Sequence, residues 1–423
     1  MPILHIDGDA FFASCEVSLD VRLKGKPVVT GLERGIASAL TYEAKARGIT
    51  RGMRLFEMRK ICPDVIILPS DYETYSILSE RMYAIVRRFV PTVEEYSIDE
   101  CFADLSELKL KKENIEAIVR KIKNTLQAEL GMTFSLGVGE TKVLAKAASK
   151  FKKPDGLTII TREESPKYLG AIPIEKIWGI GMATAISLWK HGVRTALDFT
   201  EMREEWVNEH MNKPYVEIWH ELRGTSLYHV RDEKKTEYQS ISKTRTFTPA
   251  SGERAVLLSE LSKNAENACI KVRRYNLKAK EISFFIKTKE FNYFSADASL
   301  EYPTNDPQKV MQSVERNFDQ IWKPKNLYRT TGVVLRNLSF GNIIQTDFFG
   351  EHKKSADKSA LYEKVDRLSR KFGKHVVFLA SSMSAMRKQH GGERGVNAER
   401  KRSLFRGETE RKRLGIPMMK EVL

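Results

Sequence analysis

Apolar residues fall along this chain in short runs and helical stripes that alternate from its first residues. Residues 2–7 (PILHID) are an apolar run ending in an acid, the pattern of a buried strand that delivers a carboxylate at its end. The following AFFASCEVSL reads as a helix, with Asp9 as its cap. Residues 26–42 read as two strands around a glycine-containing turn, and 43–62 as helix with one break at Gly48. In residues 73–90 apolar side chains recur at 77, 78, 82, 85, 86 and 89, an amphipathic helix that Pro91 stops. TVEEYSIDECFADL reads as two strands with Asp99–Glu100 near their junction. A helix over 113–130, a strand over 133–139 and a lysine-rich helix over 141–151 follow. Strands mixed with covering helices make an α+β arrangement.

From 172 to 232 the pattern is almost all helical, with a short turn at Trp178–Gly181. Residues 233–240 (EKKTEYQS) are polar and charged, the character of a linker. Then 241–248 alternate as a strand, and 254–275 carry apolar groups at 257, 258, 261, 265, 268 and 272, a helical stripe. KAKEISFFIKTK and FNYFSADASL read as strands, Asp306–Pro307 as a helix start, and YRTTGVVLRNLSF as a closing strand. The order is β-α-β-β-α-β, a split βαβ unit. Lys243, Arg245, Lys287 and Lys289 are read at its exposed strand positions, which suits either a sheet laid on phosphates or a solvated face. Residues 351–423 form a basic tail in which HVVFLA is a candidate strand and the rest reads as flexible.

Charge sharpens this picture. The chain has 423 residues and a formal net charge of +16, a balance that points to a polyanionic partner. The tail, with 19 Lys and Arg against 9 Asp and Glu, holds ten of those excess charges. Four scattered cysteines without CxxC spacing argue against a disulfide framework or zinc site and fit a reducing, cytoplasmic setting. No signal peptide is expected, and no apolar run approaches the roughly 18 residues that span a bilayer.

The acids are the candidate chemistry. Asp7 at a strand end and the Asp99–Glu100 pair on a hairpin would, if the hairpin lies beside the first strand, gather three hard oxygen ligands on rigid elements. Two Mg²⁺ ions about 4 Å apart on such ligands serve phosphoryl transfer, and three neighbouring anions themselves call for cations. Taken singly, Asp7 also reads as a cap or turn residue and Asp99–Glu100 as a surface turn. Spacing alone does not bring them together.

The segments IDGDAFFASCE, YSIDECFADL and LGVGETKVLAKAASKFKKPDG together resemble the Y-family DNA polymerases, a likeness that runs from residue 1 to at least 345. IWGIGMATAISLWKHGVRTALDF, HELRGTSL, FFIKTKEF and VVFLAS resemble its UmuC branch, the catalytic subunit of DNA polymerase V, whereas YEAKARGI resembles the DinB branch. The resemblance implies a right-hand architecture: palm at 1–10 and 71–165, small fingers at 11–70, and a helical thumb at 166–232. The βαββαβ unit, a ferredoxin-like little finger, would take 241–345, with a clamp-binding segment and basic tail at 346–423.

It implies low-fidelity translesion synthesis in an SOS-type damage response, with two Mg²⁺ held by Asp7, Asp99, Glu100 and the Gly8 carbonyl. Phe12 matches the steric gate against ribonucleotides, although on residues alone it reads as core, as Phe11 does. Tyr42, Lys45 and Lys153 match triphosphate-binding residues. Lys45 stands where the family usually has Arg, losing a bidentate fork, and Ala39 where Thr is frequent. Gly179–Ile180–Gly181 resembles a helix-hairpin-helix turn, whose backbone N–H groups approach DNA phosphates; an ordinary αα turn is the alternative. Gln345–Thr346–Asp347–Phe348–Phe349 resembles the peptide that holds the bacterial β sliding clamp, with Phe where Leu is usual; a strand extension is the alternative. Primer–template DNA and dNTPs are the implied partners, with a UmuD-like subunit and a recombinase filament as further ones.

Two other readings compete. A two-metal nucleotidyl cyclase would share the palm but has no use for a DNA grip. A non-catalytic DNA-binding scaffold gains nothing from clustered carboxylates near a polyanion. The basic excess of residues 351–423 predicts that deleting them lowers DNA or partner affinity and flattens the salt dependence of DNA binding; unchanged affinity and slope in a salt titration would refute it.

Overall fold

The N-terminal apolar run becomes strand β1 (Ile3–Gly8), buried along its whole length. After it come α1 (Phe11–Leu19), β2 (Val28–Thr30), β3 (Ala39–Leu40), α2 (Tyr42–Ala46), α3 (Leu55–Ile61), β4 (Ile66–Leu68), α4 (Tyr72–Arg87), β5 (Val93–Ser97) and β6 (Glu100–Asp104). Then follow α5 (Lys112–Leu130), β7 (Phe134–Gly139), α6 (Lys142–Phe151), β8 (Leu157–Ile159), α7 (Ser165–Gly170), α8 (Met182–Lys190), α9 (Ala196–Glu201), α10 (Glu204–His210) and α11 (Lys213–Leu222). The computed structural model describes residues 2–108, 112–233, 238–340, 351–372 and 375–387, without the side chains of 112, 113, 351–360 and 370. The described residues fall into two compact units, one up to residue 233 and the other from 238.

In the first unit β1 is the middle of a five-stranded sheet ordered β5-β6-β1-β7-β8. Period-two alternation sends Leu4 and Ile6 into a core with Tyr75 and Met82 of α4 and Val119, Ile122 and Leu126 of α5. His5 and Asp7 face the other way, toward α6, where His5 Nδ1 lies 2.7 Å from Ser149 Oγ. Helix α6 can lie this close because β7 presents glycine beneath it: a Cβ on Gly137 would stand 2.1 Å from the Ser149 backbone nitrogen. A second, three-stranded sheet (β3-β2-β4) packs Val29 and Leu40 against Ala44 and Met58 of α2 and α3. Helices α7 to α11 close around Leu188, Phe199, Val207 and Trp219. The buried Glu221 carboxylate ties this helical part to α6, accepting from the backbone N–H groups of Val143, Leu227 and Tyr228.

The second unit has the expected order: β9 (Ser240–Ser251), α12 (Arg254–Arg274), β10 (Leu277–Thr288), β11 (Tyr293–Thr304), α13 (Pro307–Asn317) and β12 (Tyr328–Phe340). The all-antiparallel sheet is ordered β11-β10-β12-β9, so each helical crossover steps over one strand of the other pair. Asp306 caps α13 as anticipated, its carboxylate accepting from Gln308 N at 2.8 Å.

Several local expectations are corrected. Asp9 does not cap α1: Ala10, at φ 49°, takes the cap position, and the Asp9 carboxylate accepts instead from Ser135 Oγ and Asp155 N, each at 2.8 Å. The break after α2 spans residues 47–54 rather than Gly48 alone, with two turns in which Gly48 and Gly52 take positive φ and an Ile36–Arg54 bridge at its end. Lys243 and Arg245 are not on the open face of the sheet. Their cross-strand partners are the buried Val333 and Thr331, and Arg245 reaches the buried Glu260 of α12 at 3.7 Å. Of the four basic residues assigned there, only Lys287 lies on the open face within a strand; Lys289 falls in the turn beyond β10.

The segment after the unit is not a loose tail throughout. Residues Glu351–Phe372 form α14, and Asp366 on it makes a two-pronged pair with Arg273 of α12 at 2.7 and 2.8 Å. HVVFLA is no strand. Leu379 N and Ser382 Oγ donate to Glu266 of α12 at 2.9 and 2.7 Å, and α15 (Met383–Arg387) follows.

The close seating of α6 predicts that Gly137→Ala, which puts a methyl group into helix backbone, costs about 3 kcal/mol or more. Thermal unfolding should show a large drop in midpoint for the first unit; an unchanged midpoint would mean that α6 yields freely.

Candidate active site

The register of two strands brings the acids together. Asp7 on β1 pairs directly across from Glu100 on β6, and the Gly8 N–H donates to the Asp99 carbonyl at 2.8 Å. Gly8 pairs on its other side with Phe134 of β7, so the Asp-Gly step sits between the hairpin and β7. A Cβ on Gly8 would stand 2.7 Å from a ring carbon of Phe11, which is core as expected.

Each carboxylate has a positive or polar partner. Lys153 pairs with Asp7, Lys146 Nζ lies 2.5 Å from Glu100 Oε2, and Ser97 Oγ donates to Asp99 Oδ1 at 2.6 Å. Among the described residues no three His, Cys, Asp or Glu side chains are drawn together around an ion position. Burial pushes the Asp7 carboxyl up to about 7, with Lys153 pulling against that and Glu100 adding to it. The donor set consists of hard carboxylate and carbonyl oxygens at one sheet end, which fits Mg²⁺.

The other predicted residues arrange themselves around this end. Phe12 is half-buried and stacks on Tyr75, with centroids 4.6 Å apart and planes 15° apart. Tyr75 is itself fixed, its hydroxyl donating to the buried Glu16 at 2.7 Å, so Phe12 rests on an anchored platform. Lys45 Nζ lies 3.9 Å from the Tyr42 ring centroid. Burial first, then the charges of Asp9 and Asp7, push the Tyr42 phenol up to about 12. Burial and then Lys153 lower Lys45, while Asp9 and Asp7 act the other way. Tyr42, Lys45 and Lys153 thus share one electrostatic neighbourhood with Asp7. Ala39 is half-buried on β3.

Gly179, at φ 89°, and Gly181 lie in the turn that starts α8, but the element before the turn is a single 3₁₀ turn, Ile174–Lys176, rather than a full helix. Lys287, Lys243 and Arg245 belong to the second unit, as described above. Gln345, Asp347, Phe348 and Phe349 lie outside the described residues.

Sequence reasoning missed Lys146, Asp9 and His5. Lys142, Lys146 and Lys150 recur every four residues on α6, a spacing that places them on one face. Asp9, buried and accepting from Asp155 N, holds the loop that carries Lys153. His5 is buried with its Nε2 lacking a hydrogen-bond partner, 4.0 Å from Glu100 Oε2; nothing in its sequence context signalled that.

Known proteins match the stretches that carry Asp7, Phe12, Tyr42, Lys45, Asp99 and Glu100. The model of the impB/mucB/samB family matches residues 6–150, and that of its C-terminal domain matches 238–348. DNA polymerase IV of Streptococcus pyogenes serotype M3 is 31% identical over 342 residues, covering 79% of this chain and 93% of that protein. The chain belongs to the Y-family DNA polymerases. DNA polymerase IV of S. pyogenes serotype M12 matches at the same 31% identity and the same coverage. Among solved structures, a Y-family chimera of Dbh and Dpo4 shares the fold at a TM-score of 0.69 and 22% identity, covering 80% of this chain and all of that one. DinB from Sulfolobus solfataricus does so at 0.51 and 24%, with 80% of this chain and 100% of that one covered. These names are of the polymerase IV and DinB type, not UmuC.

The displaced Asp7 predicts a pH-dependent stability in the absence of divalent ions. An acid raised in the folded state binds its proton there more tightly than in the unfolded chain, so its contribution falls as pH rises from about 4 through about 7. Asp7→Asn should therefore raise the thermal midpoint of metal-free protein at pH 8 and raise it less at pH 5. Melts in chelator at both pH values check this; no gain at pH 8 would mean that Lys153 already offsets the burial.

Proposed function

We propose that this polymerase performs template-directed, low-fidelity DNA synthesis past damaged bases, with Asp7, Asp99, Glu100 and the Gly8 carbonyl as ligands of two Mg²⁺ ions. The observation that carries the reading is the Asp7–Glu100 register with Asp99 bonded to Gly8. When bound, the ions supply activation of the primer 3′-hydroxyl and neutralisation of the leaving pyrophosphate. The chain's residues supply position. Phe12, backed by the Tyr75 ring, lies under the incoming sugar and excludes a 2′-hydroxyl. Tyr42, Lys45 and Lys153 take the triphosphate, so Lys153 exchanges Asp7 for phosphate when nucleotide arrives.

The palm, fingers, thumb and little-finger assignments belong to this reading, as do DNA contacts from the 179–181 backbone and from Lys287 on the open sheet face. Lys243 and Arg245, on the covered face, are not part of it. Sliding-clamp binding through Gln345, Asp347, Phe348 and Phe349, and a place in an SOS-type response in the cytoplasm, are its outer parts. Among the described residues no helix is long and apolar enough to cross a membrane. The finer UmuC reading rests on residues 177–199, 220–227, 284–291 and 376–381 and carries with it a UmuD-like subunit and a recombinase filament; the relatives' names favour a polymerase IV type. Extension by the purified chain alone supports the latter, and a strict need for accessory proteins supports the former.

Primer extension on an abasic-site template with Mg²⁺ tests the core. Wild type should extend, and Asp99→Ala plus Glu100→Ala should lose at least about a thousandfold in rate, as expected when metal ligands are removed. DNA binding without extension under any accessory condition would leave a scaffold. Phe12→Ala should raise ribonucleotide incorporation relative to deoxynucleotide by at least about tenfold, the scale of a steric pocket contact. An unchanged ratio in single-nucleotide assays would remove Phe12 as the gate.

A further inference from the structure

The 178–181 turn and the Glu100 carboxylate meet in one aromatic joint. Trp178 Nε1 donates to Tyr96 Oη at 3.0 Å, and the two rings meet edge-on with centroids 5.3 Å apart. Phe102 lies 5.5 Å from Tyr96 and 5.8 Å from Trp178, and Tyr228 closes the far side of Trp178 at 5.9 Å. Tyr96 and Phe102 sit on the hairpin that carries Asp99 and Glu100. Lys146 enters this cluster from α6. Its Nζ is 4.4 Å from the Tyr96 ring centroid, 5.3 Å from that of Trp178 and 2.5 Å from Glu100 Oε2, on a side chain only 6% exposed. One turn earlier Lys142 sits 5.0 Å from the Phe102 ring and pairs with Glu94.

A lysine this buried persists only where other groups replace its lost hydration. Lys146 has two such supports at once, a carboxylate and two rings, sharing one ammonium group. A divalent ion on Glu100 repels that ammonium, which leaves the rings as its hold. Losing a ring therefore leaves Glu100 as the main hold of that ammonium, against a metal there. Trp178 is also the residue before Gly179, where a Cβ would stand 2.6 Å from Ile218 Cδ1, so the turn is packed tightly on α11.

We propose that Lys146 is a positioning residue whose shared hold on Glu100 and the Tyr96–Trp178 rings sets the affinity for divalent metal. This rests on the metal-binding role proposed for Glu100.

The test is Mn²⁺ binding to the full chain by isothermal titration, without DNA or nucleotide, so that the readout is independent of activity. Lys146→Met should tighten Mn²⁺ binding about threefold or more by removing the competing charge, and Trp178→Ala should weaken it by a similar factor. The double variant should lose the Trp178 effect, because the ring acts only through the lysine. Shifts of the same sign in the two single variants, shifts below about twofold, or full additivity in the double variant would overturn the proposal. If Trp178→Ala does not fold, Trp178→Phe, which keeps a weaker cation-holding ring, carries the same sign. Glu100→Ala run in parallel separates the two ideas. Mn²⁺ binding unaffected by Glu100→Ala refutes the metal reading itself, whereas binding lost there but unmoved in the Lys146 and Trp178 variants refutes only the coupling.

Discussion

Carboxylates crowded at one end of a buried sheet are unfavourable unless positive charge stands beside them, and much of the first unit is arranged around that constraint. Asp7 and Glu100 are fixed opposite each other by backbone pairing, which no side-chain movement can relieve. The balancing charge comes from α6 and the loop after it, as Lys146 and Lys153. This requires α6 to lie almost on the sheet, and Gly137 and Gly139 are what allow it. Asp9, buried and bonded to Asp155 N, keeps the Lys153 loop in place. The glycines, the helix, the loop and the lysines thus answer one electrostatic demand.

The second unit meets a different problem. Helix α12 is buried on two sides, one against the sheet through Leu257, Leu261, Ala265 and Cys269, the other under residues 379–387. That second side is polar: Ser259, Ser262, Lys263 and Glu266 are all buried there. Buried polar groups must be paired, and they are, through Ser262 with Ser381 and Ser382, Glu266 with Leu379 N and Ser382, and Lys263 with the Ala385 carbonyl. A polar cover specifies one seating of the segment, because a slip would leave several of these groups unpaired.

What the sequence made legible follows from period. Long stripes and clean alternation marked α4, α5, α12 and the whole β-α-β-β-α-β unit, because many residues vote on each. Strands β4 and β8, three residues each, were not read from the sequence. Asp9 was misread because an acid before a helix is ordinarily its cap, and only the distant Ser135 and Asp155 reveal its other use. Lys243 and Arg245 were put on the wrong face although Ile241 and Phe247 share their parity. The basic charge suggested exposure, and the alternation, which was the stronger signal, pointed inward. HVVFLA looked like a strand by composition, but α12 offers it side-chain acceptors and no strand edge.

The acids of the candidate site were marked by residue type, whereas Phe12, Tyr42, Lys45 and Lys153 came only with the family resemblance, and for a physical reason. A ligand trio is carried by three acidic residues, whereas the fitness of the site depends on what surrounds them. Phe12 illustrates the difference. A phenylalanine one residue from core Phe11 has no mark of its own in the sequence, and its half-exposed ring is held in place by Tyr75, which is held by Glu16. Glu16 lies on the same helix as Phe12, so the platform is closed within α1 and α4. Under the gate role proposed for Phe12, the ring must be stiff to discriminate by a single hydroxyl, since any yielding would admit the larger sugar. Stacking on a hydrogen-bonded tyrosine is what would provide that stiffness.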